Sequence, residues 1–116
     1  MKKIAFILGM AVASAFTLTA QTTDSVDVTF YYKTQDNPTN VFLPGEFNNW
    51  GPNASGIISS GAISKMTKDT ATGVWWKTVR LRVGGHVGGG VPGAYEYKIN
   101  ENGTSTGWLP DPMNPR

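Results

Sequence analysis

Three stretches of this chain alternate apolar and polar residues with a period of two, and nothing after residue 20 repeats with the period of a helix. In the first, Val26, Val28, Phe30 and Tyr32 share one face, while Asp27, Thr29, Tyr31 and Lys33 share the other. In the second, residues 74–83, one face carries Trp75, Val79, Leu81 and Val83, with Lys77 as its odd member. Trp76, Thr78, Arg80 and Arg82 take the opposite face. In the third, residues 94–100, Tyr95, Tyr97 and Ile99 oppose Glu96, Lys98 and Asn100. Side chains along a strand point alternately to its two faces, so each pattern is that of a half-buried strand. Shorter strands are expected over residues 40–44 and 62–67, with a last one reaching Trp108 and Leu109. Turns are expected at residues 35–38 and 68–73 and at the Asn102-Gly103 hairpin signal. Residues 46–61 read as a polar loop, and residues 84–93, with six glycines, as a flexible connection. Short strands separated by turns predict an all-β fold, an antiparallel β-sandwich.

The first twenty residues stand apart from this pattern. Lys2 and Lys3 precede an apolar run from Ile4 to Phe16, and Thr17-Leu18-Thr19-Ala20 leads into Gln21. That is the layout of a secretory signal peptide cleaved after Ala20. The apolar run is about 13 residues, short of the roughly 20 that span a bilayer. Export to the periplasm, the cell surface or the medium is therefore expected, with no stable membrane span after cleavage. Residues 21–25 form a polar leader, and residues 26–116 one small domain.

Removing the leader changes the charge balance. The chain has ten basic and eight acidic residues; without Lys2 and Lys3 it carries eight of each sign. No basic run survives, so nucleic acid is not an expected partner. The absence of cysteine leaves an exported domain without disulfides, and its stability must come from a packed core. Eleven aromatic residues lie beyond residue 20. At about 1.5–3 kcal/mol for each fully buried large side chain, half of them suffice for that core.

Trp50 and Lys98 ask for another explanation. Trp50 ends the turn Phe47-Asn48-Asn49 and precedes Gly51-Pro52, a setting with little apolar cover. Either its ring tucks over an edge of the sandwich, or it is exposed and serves a ligand. Trp108, between Gly107 and Leu109-Pro110, poses the same choice. If Tyr95, Tyr97 and Ile99 line the core, Lys98 faces outward. A pyranose presents a slightly positive C–H face that suits the negative face of an indole. Two rings and a hydrogen-bonding lysine would give weak, multipoint recognition of an oligosaccharide.

The run from Val41 to Trp50 (VFLPGEFNNW), then Gly73-Val74-Trp75, then Tyr95-Glu96-Tyr97-Lys98 with Asn102-Gly103, Trp108 and Asp111-Pro112, resembles carbohydrate-binding module family 48. That family includes the glycogen-binding domain of the AMP-activated protein kinase beta subunit. The early-set immunoglobulin-like domains appended to isoamylases, branching enzymes and some bacterial esterases are similar. The likeness covers about residues 26–116 and rests on the order and spacing of its elements together. It implies an immunoglobulin-like β-sandwich of the early-set type that binds α-1,4-glucan such as glycogen, starch or maltooligosaccharide. By position, Trp50 matches the family's first stacking tryptophan, Lys98 its sugar-contacting lysine and Trp108 its second stacking ring; Trp75 matches a core position. Residues 84–93 are longer than the family's connection. The family also continues after Asp-Pro into a closing strand, so the resemblance implies that this chain, which stops at Arg116, is truncated at its C-terminal end.

A non-catalytic binding module is thus the leading expectation. The alternative is an accessory domain of a larger secreted glycoside hydrolase or esterase that packs on the catalytic domain without binding sugar; a protein–protein adaptor is a third reading. No enzyme activity, cofactor or metal is expected. The Gly-rich stretch around His86 has no following helix to present amides to a phosphate. His86 stands alone for zinc or nucleophilic chemistry. Glu46, Glu96, Glu101 and Asp111 sit in no motif that would make a glycosidase pair.

Overall fold

A computed structural model of the chain describes residues 24–85 and 93–112. The expected signal peptide at residues 1–20, residues 21–23 of the expected leader, residues 86–92 of the glycine-rich connection with His86, and residues 113–116 lie outside the described residues. Among the described residues, six strands form two antiparallel sheets, so the all-β expectation holds. β1 (Ser25–Tyr32) pairs with β4 (Val74–Arg82), which pairs on its other side with β3 (Thr67–Asp69). β2 (Val41–Phe42) pairs with β5 (Ile99–Glu101), which pairs with β6 (Trp108–Leu109). Among the described residues, no helix is long and apolar enough to cross a membrane.

The alternation in β1 and β4 sets the first sheet. Its register places Tyr32 opposite Trp75, Phe30 opposite Lys77 and Val28 opposite Val79 on one face. Tyr31 lies opposite Trp76, Thr29 opposite Thr78 and Asp27 opposite Arg80 on the other. The inner face joins a core that both sheets supply: Tyr32 and Trp75 from one, Val41 and Ile99 from the other, with Leu43 and Met66 from the flanking segments. Phe30 seals this core laterally, meeting Tyr97 edge-on at 4.9 Å and Phe47 at 5.7 Å between ring centroids.

Three expectations shift in place. The strand expected at 62–67 forms at Thr67–Asp69, inside what reads as a turn; Lys65 only bridges to Phe42. The tight turn closed by Gly73 N–H on the Asp69 carbonyl (2.7 Å) delivers Asp69 opposite Val74, which draws the pairing toward the turn. The third alternating stretch becomes a formal strand only from Ile99 to Glu101. Its earlier part keeps the same register, with Tyr97 bridged to Gly45 and the Lys98 N–H donated to the Pro44 carbonyl. The Asn102-Gly103 pair does adopt positive φ at both residues, but the β5–β6 connection runs through residues 102–107 rather than a two-residue hairpin.

The second sheet is covered on both sides. Phe42 and Asn100, neighbours across β2 and β5, face away from the core, and both are buried. Their cover is the loop at residues 51–64, which lays the buried Ile58 over them and bonds its N–H to the Gly103 carbonyl (2.9 Å). A side chain at Gly103 would collide with the Ile58 carbonyl, so glycine is required for that approach.

Candidate carbohydrate-binding face

Trp50 sits at the end of a turn built by one side chain. The Asn48 amide oxygen accepts the N–H groups of Gly45 and Gly51, each at 3.0 Å, and its amide nitrogen donates to the Leu43 carbonyl at 2.8 Å. Those bonds close the chain on itself between Leu43 and Gly51. Asn49 and Trp50 then take left-handed backbone angles, φ 54° and 57°, and the Trp50 N–H donates to the Gly45 carbonyl at 2.9 Å. A bulky residue rarely adopts that region, so the turn holds Trp50 there against its own preference. Gly45 makes this possible: an added Cβ would lie 2.8 Å from the Phe47 ring and 2.9 Å from the Glu96 carbonyl oxygen.

The two tryptophans are tied to the same loop. The Asn53 side chain donates to the Trp50 carbonyl (2.8 Å) and accepts the Gly56 N–H (2.9 Å). The Gly56 carbonyl in turn accepts the Trp108 indole N–H at 2.7 Å. Both rings are half-buried rather than bare. Since the indole N–H of Trp108 is already satisfied, its polar requirement is met without a ligand.

Lys98 is exposed, as strand phase predicts. It shares the outer face of the second sheet with Asn100, which lies directly opposite Trp108 in the β5–β6 register. Its ammonium has no carboxylate partner among the described residues. Trp75 is buried in the core, the place expected for it.

Neither a protein-family model, nor a curated protein, nor a solved structure matches the chain.

The asparagines escaped the sequence reading. Asn48 builds the Trp50 turn. Asn100 is fully buried, accepts the Gly103 N–H at 2.7 Å and donates to the Thr104 carbonyl at 3.0 Å, holding the 102–107 connection against the sheet. Asn102 accepts the Thr39 N–H at 2.8 Å. Asn48 and Asn102 had a readable signal, since asparagine bonds nearby backbone in tight turns. Asn100 had none, because alternation placed it on a face that only the loop covers.

The acids expected to be idle are mostly structural. Glu101 is buried and accepts the Tyr32 hydroxyl at 2.6 Å; Asp111 accepts the Tyr97 hydroxyl at 2.6 Å. Burial, and then the hydrogen bond to the Glu101 carboxylate, push the Tyr32 phenol up from 10.0 to about 12. Among the described residues, no three acid, histidine or cysteine side chains are grouped to hold a metal ion.

Proposed function

We propose that the domain is an immunoglobulin-like β-sandwich that binds α-1,4-glucan without catalysis, through Trp50, Lys98 and Trp108, and that it acts after export. The observation that carries this reading is the outer face of the second sheet. There Lys98, with no carboxylate partner among the described residues, lies diagonally across β5 and β6 from Trp108, whose indole N–H is already bonded, and the same loop leads from that tryptophan to Trp50 in a constrained turn. A ring with its N–H satisfied has its face to offer a sugar, and a lysine without an ion partner has donors for sugar hydroxyls. The order of residues around these three positions, similar to carbohydrate-binding module family 48, supports the glucan class.

Affinity is expected to be weak, because few groups converge. Each stack contributes on the order of 1 kcal/mol beyond burial, and about 1.4 kcal/mol corresponds to a factor of ten in affinity. A calorimetric titration with maltoheptaose, with cellohexaose as the β-linked control, tests the reading. Trp50→Ala is expected to weaken maltoheptaose binding about five- to tenfold while cellohexaose binds neither protein. Equal maltoheptaose affinity for the two proteins would remove Trp50 from the site.

A further inference from the structure

β4 is paired unequally on its two sides. β1 follows it from Trp75 to Arg82, whereas β3 reaches only Val74–Trp76. The Val83 N–H donates to the Asp24 carbonyl, so the odd residues Leu81, Val79 and Lys77 also aim their backbone groups at β1. The even residues aim theirs at the opposite edge. There Trp76 pairs with Thr67, and the N–H and C=O of Arg82 are both met by the Tyr95 hydroxyl, at 3.0 and 3.1 Å. Between these two fixed points, the N–H and C=O groups of Thr78 and Arg80 have no strand partner among the described residues.

A groove of about 200 Å³ runs along this gap. Lys77, Thr78, Val79 and Arg80 form one wall, and Phe47, Asn48 and Ile63 the other. Four consecutive strand residues point to alternate faces, so they can line one groove only along the strand's edge. The far wall adds apolar surface: Ile63 is 69% exposed. Free backbone groups on one side and apolar side chains on the other are what an added strand needs.

We propose that this edge accepts an extended segment of another protein, antiparallel to β4, with acidic residues flanking an apolar one. Charge selects the occupant. Lys77, Arg80 and Arg82 follow one another along the stretch, and Asp27, the acid that Arg80 meets at 3.2 Å, stands on the β1 side. A second copy of this chain, paired about Val79, would gather the arginines of both strands with no added acid between them, which disfavours self-pairing. Acidic residues on the outer face reach Arg80 and Arg82, and the apolar residue between them lies on the inner face against Phe47, Val79 and Ile63.

Amide hydrogen exchange on the full chain, with a capped decapeptide of alternating valine and glutamate as probe, tests the proposal. The peptide is expected to slow exchange at least tenfold at Thr78 and Arg80 and to leave Lys77 and Val79, already bonded to β1, unchanged. Replacing its glutamates by lysine, or N-methylating alternate residues on the bonding side, is expected to weaken binding at least tenfold. Ile63→Asp, at an exposed position, should weaken it without loss of fold. Equal binding by the N-methylated peptide, no binding by the acidic one, or protection of Thr78 and Arg80 that is already present or grows with protein concentration alone would overturn it.

Discussion

The two sheets treat their outer faces in opposite ways. The first leaves its outer face to solvent: Tyr31 is 64% and Trp76 39% exposed, beside the Thr29–Thr78 hydroxyl pair and the Asp27–Arg80 ion pair. The second hides Phe42 and Asn100 of its outer face beneath the 51–64 loop while leaving Lys98 exposed, and asparagine side chains bonded to backbone secure the chain around it. One face is ordered by strand pairing alone; the other depends on side chains that substitute for missing ladder bonds. Polar residues should therefore be dispensable on the first face and indispensable on the second.

That contrast breaks most sharply at Asn100. Asn100→Ala leaves the Gly103 N–H and the Thr104 carbonyl without their partner in a buried site. A loss of about 2–4 kcal/mol is expected from chemical denaturation. Asn48→Ala removes three bonds from a half-buried turn and should cost about 1–3 kcal/mol. It should also release Trp50 from its left-handed backbone, which near-ultraviolet circular dichroism can follow. Thr78→Ala on the open face is expected to cost less than about 1 kcal/mol. A comparable loss at Thr78 and Asn100 would erase the distinction between the faces.

Tyr32 joins the sheets from within, being 4% exposed and bonded to Glu101 across the core. Its phenol holds its proton more tightly when folded, to about 12 against 10.0 unfolded. The protonated form is the one the fold favours. Its contribution is therefore complete below pH 10 and is lost as pH rises toward 12, by roughly 3 kcal/mol at most. Tyr32→Phe should cost about 1–3 kcal/mol at neutral pH, and the difference between the two proteins should shrink above pH 10. A gap that stays constant from pH 9 to 12 would contradict this. The smallest effect is expected at Ser64, whose buried hydroxyl has no partner among the described residues. Ser64→Ala should be neutral or slightly stabilising.

Much of the first sheet was legible from alternation alone. The inward Trp75 and outward Trp76 follow from period two, as does the exposure of Lys98. β3 was misplaced because its partner and the turn closed by Gly73, not its own composition, decide where Thr67–Asp69 pairs. The half-burial of Trp108 was not legible, since it depends on a bond to Gly56, 52 residues away. The burial of Asn100 likewise depends on a loop whose own sequence, rich in glycine, asparagine and serine, reads as solvated. Local pattern fixes which way a side chain points; it does not tell what the rest of the chain lays over it.

On the proposed reading, glucan binds the outer side of the second sheet, beside its covering loop, and not the bare aromatic pair of the first. Backbone and indole NMR signals followed during a maltoheptaose titration test it directly. Shifts at Trp50, Lys98 and Trp108, with Tyr31 and Trp76 unmoved, are the expected result; shifts confined to Tyr31 and Trp76, or none at saturating sugar, would contradict it.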